Sequence, residues 1–136
     1  MKTDFLVIGS GIAGLSFALK IAQDKPKSSI TIITKSYVTE GSTIHAQGGI
    51  AVVSDFNNDS FENHINDTLS AGDGLCNLDV VNFVVAQAPI RFKELLNYGT
   101  NFDQDDKQEF DLVMEGGHSK KRIIHKQDCT GLEIVR

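Results

Sequence analysis

The segment Phe5-Leu6-Val7-Ile8-Gly9-Ser10-Gly11-Ile12-Ala13-Gly14-Leu15 runs from four apolar residues through G-x-G-x-x-G into a helical apolar pattern. Four continuous apolar residues read as a parallel strand buried on both faces. Ile12, Leu15 and Leu19, with Ala18 and Ala22, give the helix behind it an apolar face. Gly9 permits the tight turn out of the strand. A Cβ at position 11 would collide with an approaching pyrophosphate, and Gly14 lets the helix sit close to the strand. The free N–H groups and the dipole at the helix N-terminus then favour phosphate. The alternative is a glycine-rich turn that binds nothing. What speaks for the nucleotide reading is context: a strand before the glycines and a helix after them.

Working outward, the helix is expected over 12–24, with Lys25-Pro26-Lys27-Ser28-Ser29 as its exit loop. The β-branched run Ile30-Thr31-Ile32-Ile33-Thr34 reads as a second parallel strand, so residues 4–34 form a β-α-β unit. An NAD-binding unit of this kind carries a carboxylate about 20 residues beyond the glycines, for the adenosine ribose. Here that place holds Thr34-Lys35-Ser36 and no carboxylate, which weakens a simple NAD reading. Lys35 could face a phosphate or the adenine-side ribose, or be an exposed loop lysine.

The chain has 136 residues, 40% hydrophobic and 23% charged, the values of an ordinary globular chain long enough for one small domain. A net charge of −5 argues against nucleic acid as a partner. The longest basic run, Lys120-Lys121-Arg122, reads as a solvated edge. No apolar run approaches the roughly 20 residues of a membrane span. There is no signal-peptide pattern, since the chain goes straight into a strand. Cys76 and Cys129 stand far apart and read as reduced thiols of a cytoplasmic protein. His45, His64, His118 and His125 show no ligand pairing, so no metal site is expected.

From Val38 to Gly49 the residues are small, hydroxylic or glycine, with no period until Ile50. Such a stretch can wrap a ligand with backbone N–H groups, or it can be a plain loop. Asp59 and Glu62 have capping-box spacing before a helix with Phe61, Ile65, Thr68 and Leu69 on one face, ending at Gly72 or Gly74. His64 reads as a core or solvated histidine on its flank. Asp79 is expected to cap a helix over 79–87 carrying Val80, Val81, Phe83 and Val84. Pro89 opens a second helix over 89–98 that buries Ile90, Phe92, Leu95 and Leu96. Phe110, Leu112 and Met114 alternate with polar residues, as in a β-hairpin or two short strands. Glu115-Gly116-Gly117-His118-Ser119 is either site chemistry at a strand end or an exposed polar turn. Arg122-Ile123-Ile124-His125 reads as a short strand. Thr130 and Glu133, again at capping-box spacing, open a terminal helix after which no stop signal follows. The expectation is therefore a piece of a longer protein, with no internal linker and with sheet edges and apolar helix faces left uncovered.

The combination of Ile8-Gly9-Ser10-Gly11-Ile12-Ala13-Gly14-Leu15 with Thr39-Glu40-Gly41-Ser42-Thr43 and Ala46-Gln47-Gly48-Gly49-Ile50-Ala51 resembles the fumarate reductase and succinate dehydrogenase flavoprotein superfamily. Asp67-Thr68-Leu69, Ala71-Gly72, the Glu115–Ser119 turn, Arg122–His125 and Asp128-x-Thr130-Gly131 continue the match over the whole chain. Within the superfamily, T-E-G-S-T and E-G-G-H-S are similar to the L-aspartate oxidase branch. The resemblance implies an α/β fold, the N-terminal part of a Rossmann-like FAD-binding domain: a β-α-β start, an FAD-wrapping loop, helices and a β-hairpin. Residues 1–136 would be an incomplete portion of it, without the cap and C-terminal helical domains.

The resemblance also implies the cofactor and the site. Gly9, Ser10, Gly11, Ile12, Ala13 and Gly14 match the diphosphate turn, and Lys35 a lysine near the adenosine end. Ser42, Thr43, Ile44, His45, Ala46, Gln47, Gly48 and Gly49 match the loop along the flavin. Respiratory members attach FAD through a histidine directly before the threonine of T-x-x-A-Q-G-G. Ser42 stands there, so noncovalent FAD is implied. Glu115 matches a glutamate that orients substrate, flanked by His118 and Ser119, while the main base lies outside the chain. The implied reaction is oxidation of L-aspartate to iminoaspartate with oxygen or fumarate as acceptor. It is the first step of quinolinate and NAD synthesis, with a hand-off to quinolinate synthase. A soluble fumarate reductase of the same fold and an inactive nucleotide-binding piece are the alternatives.

Overall fold

A computed structural model describes residues 2–136. In chain order its elements are β1 (Phe5–Ile8), α1 (Ile12–Asp24), β2 (Ile30–Ile33), β3 (Ile50–Ala51), α2 (Phe61–Ala71), α3 (Leu78–Asn97), β4 (Leu112–Val113), β5 (Ile123–Ile124) and α4 (Thr130–Val135). They form two compact units. The first is Met1–Gln47 with Cys129–Arg136, and the second is Gly48–Asp128.

The first unit is the β-α-β start. β1 and β2 pair in parallel, Phe5 opposite Ile30 through Ile8 opposite Ile33. Asp4 and Ser29 clamp the strand entries, the Asp4 carboxylate accepting from the Ser29 N–H at 2.8 Å and its hydroxyl at 2.9 Å. α1 has the expected bounds and lies against the Val7 face, where a Cβ on Gly14 would run into the Gly9 carbonyl and stand 3.2 Å from Val7 Cγ1. Its inward residues are Leu15, Ala18 and Ile21; Ile12, Leu19 and Ala22 of the expected face are exposed. The strand expected to be buried on both faces is covered on one, with Leu6, Ile8 and Ile33 exposed. α4 seats on the Thr43–Ala46 turn: the Gly131 N–H donates to the Ala46 carbonyl at 2.9 Å, and a Cβ on Gly131 would strike the Thr43 carbonyl. Cys129, not Thr130, is its N-cap, and Thr130 is buried inside the first turn.

The second unit holds a three-stranded antiparallel sheet of order β3-β5-β4. β4 therefore pairs with β5 and is not half of a hairpin within 100–114, where the only pairing is an isolated Gln104–Phe110 bridge. Gly49 is required here, since a Cβ would collide with Ile123 Cγ2 and the Ile124 carbonyl. Val52, Val53, Ile123 and Ile124 are buried, and Phe92 packs 5.2 Å ring to ring against both Phe102 and Phe110.

The helices begin one or two residues from where spacing placed them. Ser60, not Asp59, caps α2, its Oγ accepting from the Asn63 N–H at 3.1 Å. Asn77, not Asp79, caps α3 through the Val80 N–H. Moreover, α3 is one 20-residue helix running through Pro89, where two helices were expected. An interior proline costs about 3 kcal/mol in lost hydrogen bonding and crowding. Val85 and Phe92, buried on either side of it, hold the helix on the core across that defect. The outward side carries Val80, Phe83, Val84 and Ile90, all exposed, so that stripe is not core in this unit.

Candidate functional site

In the first unit the glycine turn makes an anion cradle. Gly9 sits at φ +107°, which only glycine adopts cheaply, and its N–H donates to the Ile33 carbonyl at 2.8 Å. Ser10 is buried, its hydroxyl bonded to Thr34 Oγ1 at 3.2 Å, which fixes the turn to the end of β2. Gly11 is the N-cap of α1 and offers no side chain to close it. No side chain of the N-cap residue therefore covers the first turn, where a helix favours an anion. Thr43 reaches over from the following loop: its Oγ1 accepts the Ile12 N–H at 3.1 Å and stands 3.6 Å from where a Gly11 Cβ would lie. The structure so brings Gly9–Gly14 together with Thr43. Lys35 is exposed just past β2. Ser42, His45, Ala46 and Gln47 are exposed, while Ile44 is half-buried.

In the second unit Gly48 lies beside Glu115, whose two carboxylate oxygens would stand 3.8 Å from a Cβ there. Glu115 opens a tight turn, closed by the His118 N–H donating to its carbonyl at 3.2 Å, with Gly117 at φ +83°. The turn is anchored to α2. Asp67 Oδ2 accepts from the Ser119 N–H at 2.8 Å and from its hydroxyl at 2.9 Å.

Behind the turn is a charge cluster. Arg122, read from sequence as part of a solvated edge, is 0% exposed. Its Nε and one terminal nitrogen grip Asp59 at 2.7 and 2.9 Å, and the other terminal nitrogen reaches Asp67 Oδ2 at 2.6 Å and His118 Nδ1 at 3.0 Å. A guanidinium can only donate, so His118 Nδ1 carries no proton in this contact. Burial pushes the Asp67 carboxyl up, but the Ser119 N–H, Arg122 and the Ser119 hydroxyl outweigh it and hold the group at about 2. Asp59 is likewise held low, burial being overcome by Arg122 and the Ser60 N–H. Burial depresses Arg122, and its two aspartates more than restore it. His64 is buried, its ring 5.7 Å from that of His118 and its Nδ1 without a hydrogen-bond partner. Burial first, then Arg122 and His118, push its pKa down.

The FAD binding domain family matches residues 4–135. The chain belongs to that family. Curated relatives of this FAD-binding domain include L-aspartate oxidase 2-b, chloroplastic, of Nicotiana tabacum, 45% identical over 98% of this chain and 20% of that protein. L-aspartate oxidase of Yersinia pestis is 43% identical over 97% of this chain and 25% of that protein. The chain therefore spans between a fifth and a quarter of the length of these relatives. Among solved structures, Escherichia coli quinol fumarate reductase superposes with a TM-score of 0.90 at 32% identity, over 99% of this chain and 23% of that one. The Mycobacterium smegmatis Sdh1 complex gives 0.86 at 35%, over 98% and 22%.

The cradle fits the cofactor that the family is named for. FAD carries a diphosphate, and the domain presents a helix N-terminus whose N-cap glycine has no side chain, behind a turn whose glycines leave room where side chains would intrude. What reading the sequence missed is the Asp59–Arg122–Asp67 cluster. Asp59 was spent on a cap and Arg122 on a basic run. The available signal was Arg122 itself: an arginine directly before two buried isoleucines needs carboxylate partners.

Proposed function

We propose that this domain is the N-terminal FAD-binding portion of a flavin oxidoreductase that oxidises L-aspartate to iminoaspartate. Oxygen or fumarate is the final acceptor, and the step opens the quinolinate route to NAD. The observation that carries this reading is the Glu115 carboxylate standing beside Gly48, in the loop assigned to the flavin. A carboxylate there suits the ammonium of an amino acid and gives a plain dicarboxylate nothing to hold. Sequence likeness agrees: 43–45% identity to L-aspartate oxidases against 32–35% to the respiratory flavoproteins.

In this reading Gly9–Gly14 and Thr43 hold the diphosphate, Lys35 lies toward the adenosine end, and Ser42–Gly49 line the flavin. Ser42 has no imidazole to bond the ring, so the flavin is held noncovalently. Bound FAD supplies a two-electron acceptor for the hydride leaving Cα. Glu115 holds the ammonium, which loses one proton as the C=N bond forms. The general base and the groups that clamp the substrate carboxylates come from segments that the longer relatives have outside the matched part. Residues 1–136 alone bind without turning over. The reading places the enzyme in the cytoplasm, handing its product to quinolinate synthase. Among the described residues no helix is long and apolar enough to cross a membrane.

The runner-up, a fumarate reductase, rests on the 0.90 superposition. An anaerobic titration of the complete FAD-loaded protein separates the two. Bleaching of oxidised-flavin absorbance by L-aspartate and not by succinate supports the oxidase. Bleaching by succinate alone moves the assignment to the respiratory branch. A protein that retains no flavin sinks both.

A further inference from the structure

We propose that Asp67, held by Arg122, is the positioning residue that fixes Glu115 for recognition of the substrate ammonium; this rests on the role given to Glu115 above. Glu115 itself is exposed, its carboxylate beside Gly48. Its orientation is set by the backbone of the turn that carries it. That turn is held at two ends. On the N-terminal side it leaves β4, which pairs with β5. On the C-terminal side the Ser119 N–H and hydroxyl both end on one oxygen of Asp67. The same oxygen takes the Arg122 terminal nitrogen, and that nitrogen also contacts His118 within the turn. Arg122 cannot swing away, because Asp59 grips its other edge in two bonds. The result is a short rigid path from the start of α2, through Arg122 and Asp67, to the turn. Gly117 in turn rests against α2, 3.5 Å separating its Cβ position from Ala71 Cβ.

A carboxylate set by such a path recognises a cation only while the path is intact. A displacement of about 1 Å is enough to cost a large factor in a positioned interaction. Cutting the path should therefore mimic loss of the Glu115 charge without touching the cofactor cradle, whose residues lie in the other unit.

The test uses the complete FAD-loaded protein with Ser119→Ala, Asp67→Asn, Glu115→Gln, and Asp67→Asn combined with Glu115→Gln. Ser119 is exposed, so its variant is the one that keeps the fold if Asp67→Asn does not. Four quantities are read: KM and kcat for L-aspartate, the Kd of succinate from flavin absorbance, the Kd of FAD, and amide hydrogen exchange over 115–119. The expected result is KM for L-aspartate raised about tenfold in Ser119→Ala and Asp67→Asn, the size of a weakened charge-assisted hydrogen bond. Faster exchange at the turn should accompany it. kcat and the Kd values of succinate and FAD should stay within about twofold, and Asp67→Asn should add nothing on top of Glu115→Gln. If Glu115→Gln weakens L-aspartate while the other two leave it alone, the positioning role is wrong. Multiplicative effects, or succinate and FAD affinities falling in step, overturn it equally. If Glu115→Gln itself leaves L-aspartate untouched, the role of Glu115 fails and takes this one with it.

Discussion

In the β1-α1-β2 unit, α1 contributes no fully buried residue, and Leu6, Ile8 and Ile33 face outward from the parallel pair. In the unit of residues 48–128, the sheet, α2 and α3 close around Val52, Val53, Val85, Phe92, Phe102, Ile123 and Ile124, with Arg122 and Asp59 sealed among them. Of the fully buried apolar side chains among the described residues, only Val7 belongs to the first unit. The glycine turn and the core are thus divided. The unit with the open glycine turn is thinly packed, and the unit that holds its own core carries the carboxylate turn. The two features go together, because each glycine of the turn removes a side chain that could have packed.

The division is broken most directly from the second unit. Arg122→Ala leaves Asp59 buried and Asp67 half-buried without their cation, which should cost about 3–5 kcal/mol. Urea unfolding followed by the fluorescence of Tyr98, in α3's C-cap, reads it. A loss below about 1 kcal/mol would show that the cluster is not what holds this unit.

From the first unit, the comparison is sharpened by ligand. Saturating FAD at about 100 times its Kd should stabilise the folded form by roughly 2.7 kcal/mol. In hydrogen exchange the added protection should concentrate at residues 9–14, where the glycine turn and α1 begin. Gly14→Ala should abolish it, since the new methyl collides with the Gly9 carbonyl. Protection spread evenly over both units would mean that they unfold as one body.

How far the sequence carried differs between the units in the same way. The bounds of the β-α-β start were legible almost to the residue, α1 at 12–24 and β2 from Ile30, because its signals are local: an apolar run, three glycines, a β-branched run. The second was misread wherever a residue answered to a distant partner. Asp59 has the spacing of a cap but ends on Arg122, 63 positions away. Pro89 has the look of a helix start, yet packing of Val85 and Phe92 carries α3 through it. Leu112 pairs with Ile124 rather than with its near neighbours. Spacing rules report local competition between backbone and side chain, and they are silent on contacts that tertiary packing creates. The glycine turn and Glu115 could be singled out as candidates from motif and resemblance. Their supports, Thr43 Oγ1 on the Ile12 N–H and Asp67 on Ser119, could not.

Acid should separate the units in two stages, both from the second. His64 is depressed from 6.5, so the unfolded chain takes up its proton first; stability is full above about pH 6.5 and falls below it. Asp67 is depressed from 3.8 to about 2, so its contribution, about 2 kcal/mol, is present above pH 4 and is lost as pH falls toward 2. Asp59 acts in the same direction. Thermal midpoints between pH 8 and pH 2 read both stages. Asp67→Asn should flatten the lower stage and leave the upper one in place. A midpoint that does not move between pH 7 and pH 5 would contradict the neutral, buried state of His64.

The smallest expected effect is the sharpest check on the first unit. Ile8 is 81% exposed although it closes the apolar run that reads as a strand buried on both faces. A parallel strand is ordinarily covered on both sides, so the run was written for a neighbour on this face. If that face is bare in solution, Ile8→Ser removes no packing, and the chain's stability should change by no more than about 0.5 kcal/mol. Solubility should rise, since Leu6, Ile8 and Ile33 form one contiguous apolar strip along the β1-β2 register. A loss above about 2 kcal/mol would mean instead that the strip is buried under working conditions. Repeating the unfolding at two protein concentrations distinguishes the ways that could happen: a loss that grows with concentration places a second copy on the strip, and a constant loss places it against the chain itself. The outcome decides whether the contrast between the units belongs to the single chain or only to the chain without its neighbours.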